Sequence, residues 1–137
     1  MKKILVVDDD PSVLAVTLCF LAHRNFEAVG VTGVREAVDV LCREPDRFEV
    51  MVTDYEMPDA NGIKLAAMVR ALRVVQTWPA LPMILMTGSG EVTEEMARSA
   101  GFCALLRKPC RMSEIEAAIR LACDAEFRIE NARSGEA

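Results

Sequence analysis

Histidine is almost missing from this 137-residue chain. His23 stands alone at the end of the first helical segment, where a solvated or helix-terminus histidine is expected, so Ser-His-Asp or Cys-His machinery for nucleophilic catalysis is not expected. Cysteine occurs five times, as Cys19, Cys42, Cys103, Cys110 and Cys123, without a C-x-x-C pair or a neighbouring histidine. That spacing excludes the common zinc sets, and reduced thiols acting as small buried hydrophobes are expected. A basic excess is lacking too: 16 Lys and Arg face 21 Asp and Glu, a net charge of −5. A direct nucleic-acid surface and an anionic-membrane surface are therefore not expected. No apolar run reaches the length of a membrane span, and "MKKILVVDDD" carries neither the long apolar core nor the cleavage site of a secretion signal. The expected location is the cytoplasm.

What the chain does have is apolar bulk, with 52% hydrophobic residues, enough for one well-buried core in a single domain. Apolar runs alternate with segments of helical period. Strand-like runs are "KILVV" (3–7), "FEAVGV" (26–31), "FEVMVT" (48–53, ending at Asp54), "MILMT" (83–87) and "CALLR" (103–107). Helical segments fall at 12–24, 34–44, 61–75, 91–100 and 112–127. In the first of these Val13, Val16, Leu18, Phe20 and Leu21 fit a helix, and in the second Val34, Ala37, Val38 and Leu41 share a face. Pro11 suits a first helical turn, and Gly101 suits the residue just past a helix end.

Five strand-helix units with near-continuous apolar strands predict an α/β fold: a doubly wound five-stranded parallel sheet covered by helices on both faces. Ligands of such sheets bind beyond the carboxyl ends of the strands. Reading off those ends collects Asp8, Asp9 and Asp10, then Asp54, then Thr87 with Gly88, then Lys108 with Pro109. Clustered carboxylates repel unless a cation neutralises them, and an all-oxygen set suits a hard divalent ion such as Mg2+. Lys108, the Thr87 hydroxyl and the Gly88 amide favour a phosphoryl group beside Asp54, and a carboxylate there can itself be the nucleophile. A lone Asp at a strand end can instead cap the next helix, which is the reading for Asp10 ahead of Pro11. Asp59 and Glu91 read as solvated loop acids.

"ILVVDDDP", "VTDYEMPDANG", "MILMTG" and "LRKP" together resemble, in order, the four signature segments of the receiver domain of two-component response regulators. The likeness covers residues 3–124 and implies the flavodoxin-like strand order 2-1-3-4-5. It implies residues 1–124 as the receiver domain, with 125–137 a tail or an extension of the last helix. Carried over, Asp54 is the phosphoacceptor, Asp9 the direct Mg2+ ligand, and Asp8 the acid that holds the ion mainly through water. Asp54 and the main-chain carbonyl of Glu56 complete the protein ligands. Thr87 is the switch hydroxyl, Lys108 pairs with the phosphoryl group, and the Lys108-Pro109 bond is cis. Pro58 and Gly62 match the turn after the phosphoacceptor.

The function so implied is a signalling module of a bacterial phosphorelay, not a turnover enzyme. A histidine kinase or histidine phosphotransfer protein phosphorylates it. It then signals to a downstream protein or output domain through the Glu91–Cys123 face, on which a phosphorylation-dependent homodimer could also form. The chain is either a stand-alone regulator of the chemotaxis type or a receiver piece of a hybrid histidine kinase. Two departures from the family's pattern are Leu105, where many receivers carry an aromatic, and Glu56, an extra acid two residues past Asp54. Ser89, two residues past Thr87, is small enough to leave the site open to water. A competing reading uses Asp8 as the nucleophile of a haloacid-dehalogenase-type phosphatase, from Asp8-x-Asp10 after a strand; it leaves Asp54 without a task. A third, a receiver that binds partners without phosphorylation, leaves the whole Asp, Thr and Lys set without one.

Overall fold

The computed structural model describes residues 2–136 in backbone and 3–124 in side chains, so the side chains of the expected tail at 125–137 lie outside the described residues. The elements are β1 (Lys2–Val7), α1 (Pro11–His23), β2 (Phe26–Val31), α2 (Val34–Arg43), β3 (Val50–Asp54), α3 (Gly62–Gln76), β4 (Met83–Thr87), α4 (Glu94–Ser99), β5 (Ala104–Arg107) and α5 (Met112–Glu136). All strand pairs are parallel, in the order β2-β1-β3-β4-β5. This is the expected flavodoxin-like sheet.

Strand side chains alternate between two apolar layers, because successive residues point to opposite faces. Leu5, Val7, Met51, Met83 and Leu85 pack under α2, α3 and α4. Ile4, Val6, Val50, Val52, Ile84 and Met86 pack under α1 and α5. β3 and β4 are buried at every position, which explains why they lack a polar alternation in sequence. On the second face Glu116 of α5 accepts from Arg24 Nε at 3.0 Å and from Arg120 Nη2 at 2.9 Å, tying α5 to the end of α1.

Some local expectations are corrected, and those for His23 and Gly101 hold. α1 is apolar on nearly all sides, and its inward face is Leu14, Thr17 and Leu21, whereas Val13 and Val16 are exposed. α4 starts at Glu94 and not at 91, because the Thr93 hydroxyl accepts from the Met96 amide at 3.0 Å and fixes the helix start there. Of the cysteines only Cys123 is buried; Cys110 is half-buried, and Cys19, Cys42 and Cys103 are exposed. His23 ends α1, its Nδ1 2.9 Å from the Cys19 carbonyl oxygen. Gly101 follows α4 with φ of 99°, a left-handed conformation that favours glycine.

Candidate functional site

Every strand-end residue singled out in the sequence arrives at one edge of the sheet. Asp8 follows β1 and is 2% exposed, its amide donating to the Val31 carbonyl at 3.1 Å. Asp54 ends β3 at 1% exposed, and Thr87 ends β4 fully buried. Lys108 follows β5, its amide donating to the Thr87 carbonyl at 2.8 Å, and the Lys108-Pro109 bond is cis. Asp9 stands exposed at the mouth. The carboxylates of Asp8, Asp9 and Asp54 each bring an oxygen within 4.8 Å of the others.

Gly62 brings the turn after β3 against the site. Its amide donates to the Tyr55 carbonyl at 2.9 Å, and a Cβ at this position would lie 2.5 Å from the Asp54 carbonyl oxygen. Only glycine permits that approach. The Asn61 side chain then caps α3 through the Lys64 amide at 2.8 Å.

Burial dominates the electrostatics of Asp54. It pushes the carboxyl up to about 7; Lys108 opposes that rise and Asp8 adds to it. The Lys108 ammonium lies 2.6 Å from Asp54 Oδ1. It makes an ion pair there but no well-angled hydrogen bond, so Oδ1 is a buried oxygen without a hydrogen-bond partner. Burial lowers the Lys108 value, but the Asp54 contact more than offsets this, and the ammonium is held above its ordinary value. One ammonium against three convergent carboxylates leaves the pocket short of positive charge. The oxygen-only donor set and the orphaned Oδ1 fit a hard divalent cation.

Two features at this edge escaped the sequence. The Thr87 hydroxyl donates to Glu56 Oε1 at 3.0 Å and accepts from the Ser89 amide at 2.9 Å. Arg107, the last residue of β5, donates to the Ser89 carbonyl at 3.1 Å and to the Val92 carbonyl at 2.7 Å. An arginine at a strand end facing a short loop is the sequence signal for such a tether, but it reads equally as a solvated charge.

Asp10 caps α1, its Oδ1 accepting from Ser12 N at 2.9 Å and Val13 N at 3.3 Å, as expected. That engagement disfavours the phosphatase reading, which needs Asp10 beside Asp8 in the chemistry. Asp59 is more than a solvated loop acid. It accepts from the Val34 and Arg35 amides at 3.2 and 3.0 Å, capping α2 from 25 and 24 residues away. Those backbone donors hold its carboxyl below the usual range.

The geometry is accompanied by likeness to known proteins. The family model described as Response regulator receiver domain matches residues 4–120. Two-component response regulator ORR26 of Oryza sativa subsp. japonica is 33% identical over 114 residues, covering 82% of this chain and 19% of that protein. The chain thus spans about a fifth of the length of the curated relatives it matches. Among solved structures, a response regulator receiver domain protein from Clostridium thermocellum superposes with a TM-score of 0.84 at 22% identity, covering 94% of this chain and 99% of that one. Response regulator protein TrrA from Thermotoga maritima, solved in complex with Mg(2+)-BeF, superposes with a TM-score of 0.73 at 21% identity, covering 89% and 99%.

Proposed function

The chain belongs to the response regulator receiver domain family of two-component systems, and from that premise we propose that it is phosphorylated on Asp54 by a partner's phosphohistidine. The observation that carries the assignment is the buried Asp54 carboxylate with Lys108 Nζ 2.6 Å away and Asp8 and Asp9 beside it. An Asp54 oxygen attacks phosphorus, a P–O bond forms, and the P–N bond breaks. The imidazole nitrogen keeps the electron pair and takes up a proton. In the reverse phase water attacks phosphorus, and Asp54 leaves as the carboxylate with release of phosphate. The domain thus cycles through its own modification and is not a turnover enzyme.

Asp8, Asp9, Asp54 and the main-chain carbonyl of Glu56 are the residues that would hold Mg2+. When bound, the ion neutralises the carboxylates and the charge that develops on the phosphoryl oxygens. Lys108 supplies a fixed positive charge on the same side, and its place after β5 aims it at Asp54 without reorganisation. Thr87 offers a hydroxyl at the end of the neighbouring strand. The receiver unit is residues 1–124. Its donor is a histidine kinase or a histidine phosphotransfer protein, and its output runs through the Glu91–Cys123 face to another protein or to further chain. Among the described residues no helix is long and apolar enough to cross a membrane.

Intact mass after incubation with acetyl phosphate and Mg2+ tests the assignment. One phosphoryl adduct is expected in the parent chain and in Asp10→Asn, and none in Asp54→Asn. An adduct that survives Asp54→Asn but is lost in Asp8→Asn would transfer the nucleophile to Asp8.

A further inference from the structure

The hydroxyl of Thr87 has one proton to give, and Glu56 already holds it. Thr87 is fully buried, so its hydroxyl has no solvent to turn to. Its oxygen accepts from the Ser89 amide, and its proton goes to Glu56 Oε1 at 3.0 Å. Ser89 is in turn held at its carbonyl by Arg107, which also grips Val92. The amide of Val92 lies over the Ser89 carbonyl at 3.4 Å, and that of Glu91 donates to Ser89 Oγ at 3.2 Å. A continuous hydrogen-bonded path therefore runs from Glu56 through Thr87 and Ser89 to Arg107, across the loop between β4 and α4.

We propose that Glu56 is a positioning residue that holds the Thr87 hydroxyl away from the phosphoacceptor, so that a phosphoryl group on Asp54 must displace Glu56 as the acceptor of that hydroxyl. The inference rests on Asp54 being the phosphoacceptor. The exchange is physically plain. A charged acceptor binds a hydroxyl more strongly than a neutral one, so the resting contact is worth keeping. A phosphoryl dianion is also a charged acceptor, and it competes for the same single proton. Glu56 is exposed and returns to water on release, so it carries no buried-charge penalty away with it. Arg107 makes the exchange consequential: with Ser89 and Val92 pinned, a change of partner at Thr87 is felt by residues 88–92 and not absorbed at the hydroxyl alone. Leu105 sits in the strand beneath, partly buried, and offers no polar group of its own to the loop. Among the described side chains, the polar grip on this loop from outside it therefore comes from Glu56 through Thr87 and from Arg107, beside the internal bond from the Glu91 amide to Ser89 Oγ.

The discriminating variants are Glu56→Gln and Glu56→Met, which have the same charge and similar length and differ in keeping or losing an acceptor. Amide hydrogen exchange at Ser89, Glu91 and Val92 is first measured in the unphosphorylated protein, where the phosphoacceptor assignment plays no part. Glu56→Met is expected to exchange about three- to tenfold faster than the parent at these amides, and Glu56→Gln to restore most of the protection. In a Thr87→Ala background the two variants are expected to coincide. Arg107→Met is expected to raise exchange at Val92 whatever stands at 56. The same amides are then followed after acetyl phosphate and Mg2+. The parent is expected to lose protection on phosphorylation, and Glu56→Met to change little because its Thr87 is already released. Equal exchange in Glu56→Gln and Glu56→Met, or a difference that survives Thr87→Ala, overturns the inference. Absence of any adduct on the parent chain would instead overturn the phosphoacceptor assignment and leave the exchange comparison standing.

Discussion

Lys108 Nζ and Asp54 Oδ1 approach to 2.6 Å at the carboxyl edge of the sheet, yet the pair does not settle the carboxylate. Asp54 remains raised to about 7, because burial and the neighbouring Asp8 outweigh one ammonium that is itself partly exposed. Folding therefore favours the protonated form of Asp54. That contribution to stability is fully present below about pH 4, the ordinary carboxyl value, and is lost as pH rises through about 7. In metal-free buffer the protein is expected to melt lower at pH 8 than at pH 5.5. Asp54→Asn removes this dependence and is expected to be more stable than the parent at pH 8 by roughly 2 kcal/mol. Adding 10 mM Mg2+, on the order of a weak site's working concentration, raises the pH 8 melting temperature of the parent and leaves Asp54→Asn little changed. Differential scanning calorimetry at both pH values checks all three statements.

Opposite substitutions around the same carboxylate have opposite signs. Lys108→Met removes the cation in contact with Asp54 and is expected to raise the Asp54 midpoint by about 1 to 3 units. Asp8→Asn removes a like charge beside Asp54 and is expected to lower it. Carbon-13 NMR of the side-chain carboxyls in metal-free buffer reads both shifts directly. A fall in Lys108→Met would mean that the lysine does not face Asp54 in solution.

Gly62→Ala tests how closely the turn after β3 is tied to the site. The added methyl would lie 2.5 Å from the Asp54 carbonyl oxygen and 2.8 Å from Leu85 Cδ1, and backbone cannot yield as a flexible side-chain end can. We expect a loss of about 2 kcal/mol or more, together with slower adduct formation because Asp54 itself must shift. Urea unfolding and intact-mass time courses separate the two effects. By contrast, Gly90→Ala meets nothing within 4 Å and is expected to change neither.

The sheet and most of the site were legible in the sequence for one physical reason. Buried parallel strands write themselves as apolar runs, and the residue that ends such a run must lie at the carboxyl edge. Asp8, Asp54, Thr87 and Lys108 each end or follow a run, so their convergence follows from topology alone. Side-chain partners across that edge do not write themselves in this way. Glu56 and Thr87 are 31 residues apart, and Arg107 and Val92 are 15 apart, with no periodicity linking them. The inward face of α1 was hidden by the opposite problem, since apolar Val13 and Val16 on its outer side erase the contrast that a period needs.

Asp59 shows how a residue dismissed as a loop acid acquires a structural task from tertiary placement. Gly33, the residue ahead of α2, has no side chain with which to cap, so the first amides of that helix lack a local acceptor. Asp59 reaches across from the turn after β3 and accepts from Val34 and Arg35. Its lowered pKa means that the carboxylate form is the one folding favours; the contribution is present above the ordinary carboxyl value and is lost as pH falls through the lowered one. The side chain is exposed, so water takes over part of the task when it is removed. Asp59→Ala is expected to cost about 1 kcal/mol, a few degrees in melting temperature, and Asp59→Asn about half of that. Because the same turn carries Gly62 and leads back to Asp54, Asp59→Ala is also expected to speed amide exchange at Val34 and Arg35 while leaving the Ser89 and Val92 amides as they were. Exchange measured residue by residue distinguishes this local loss from a general loosening, which would raise all four together.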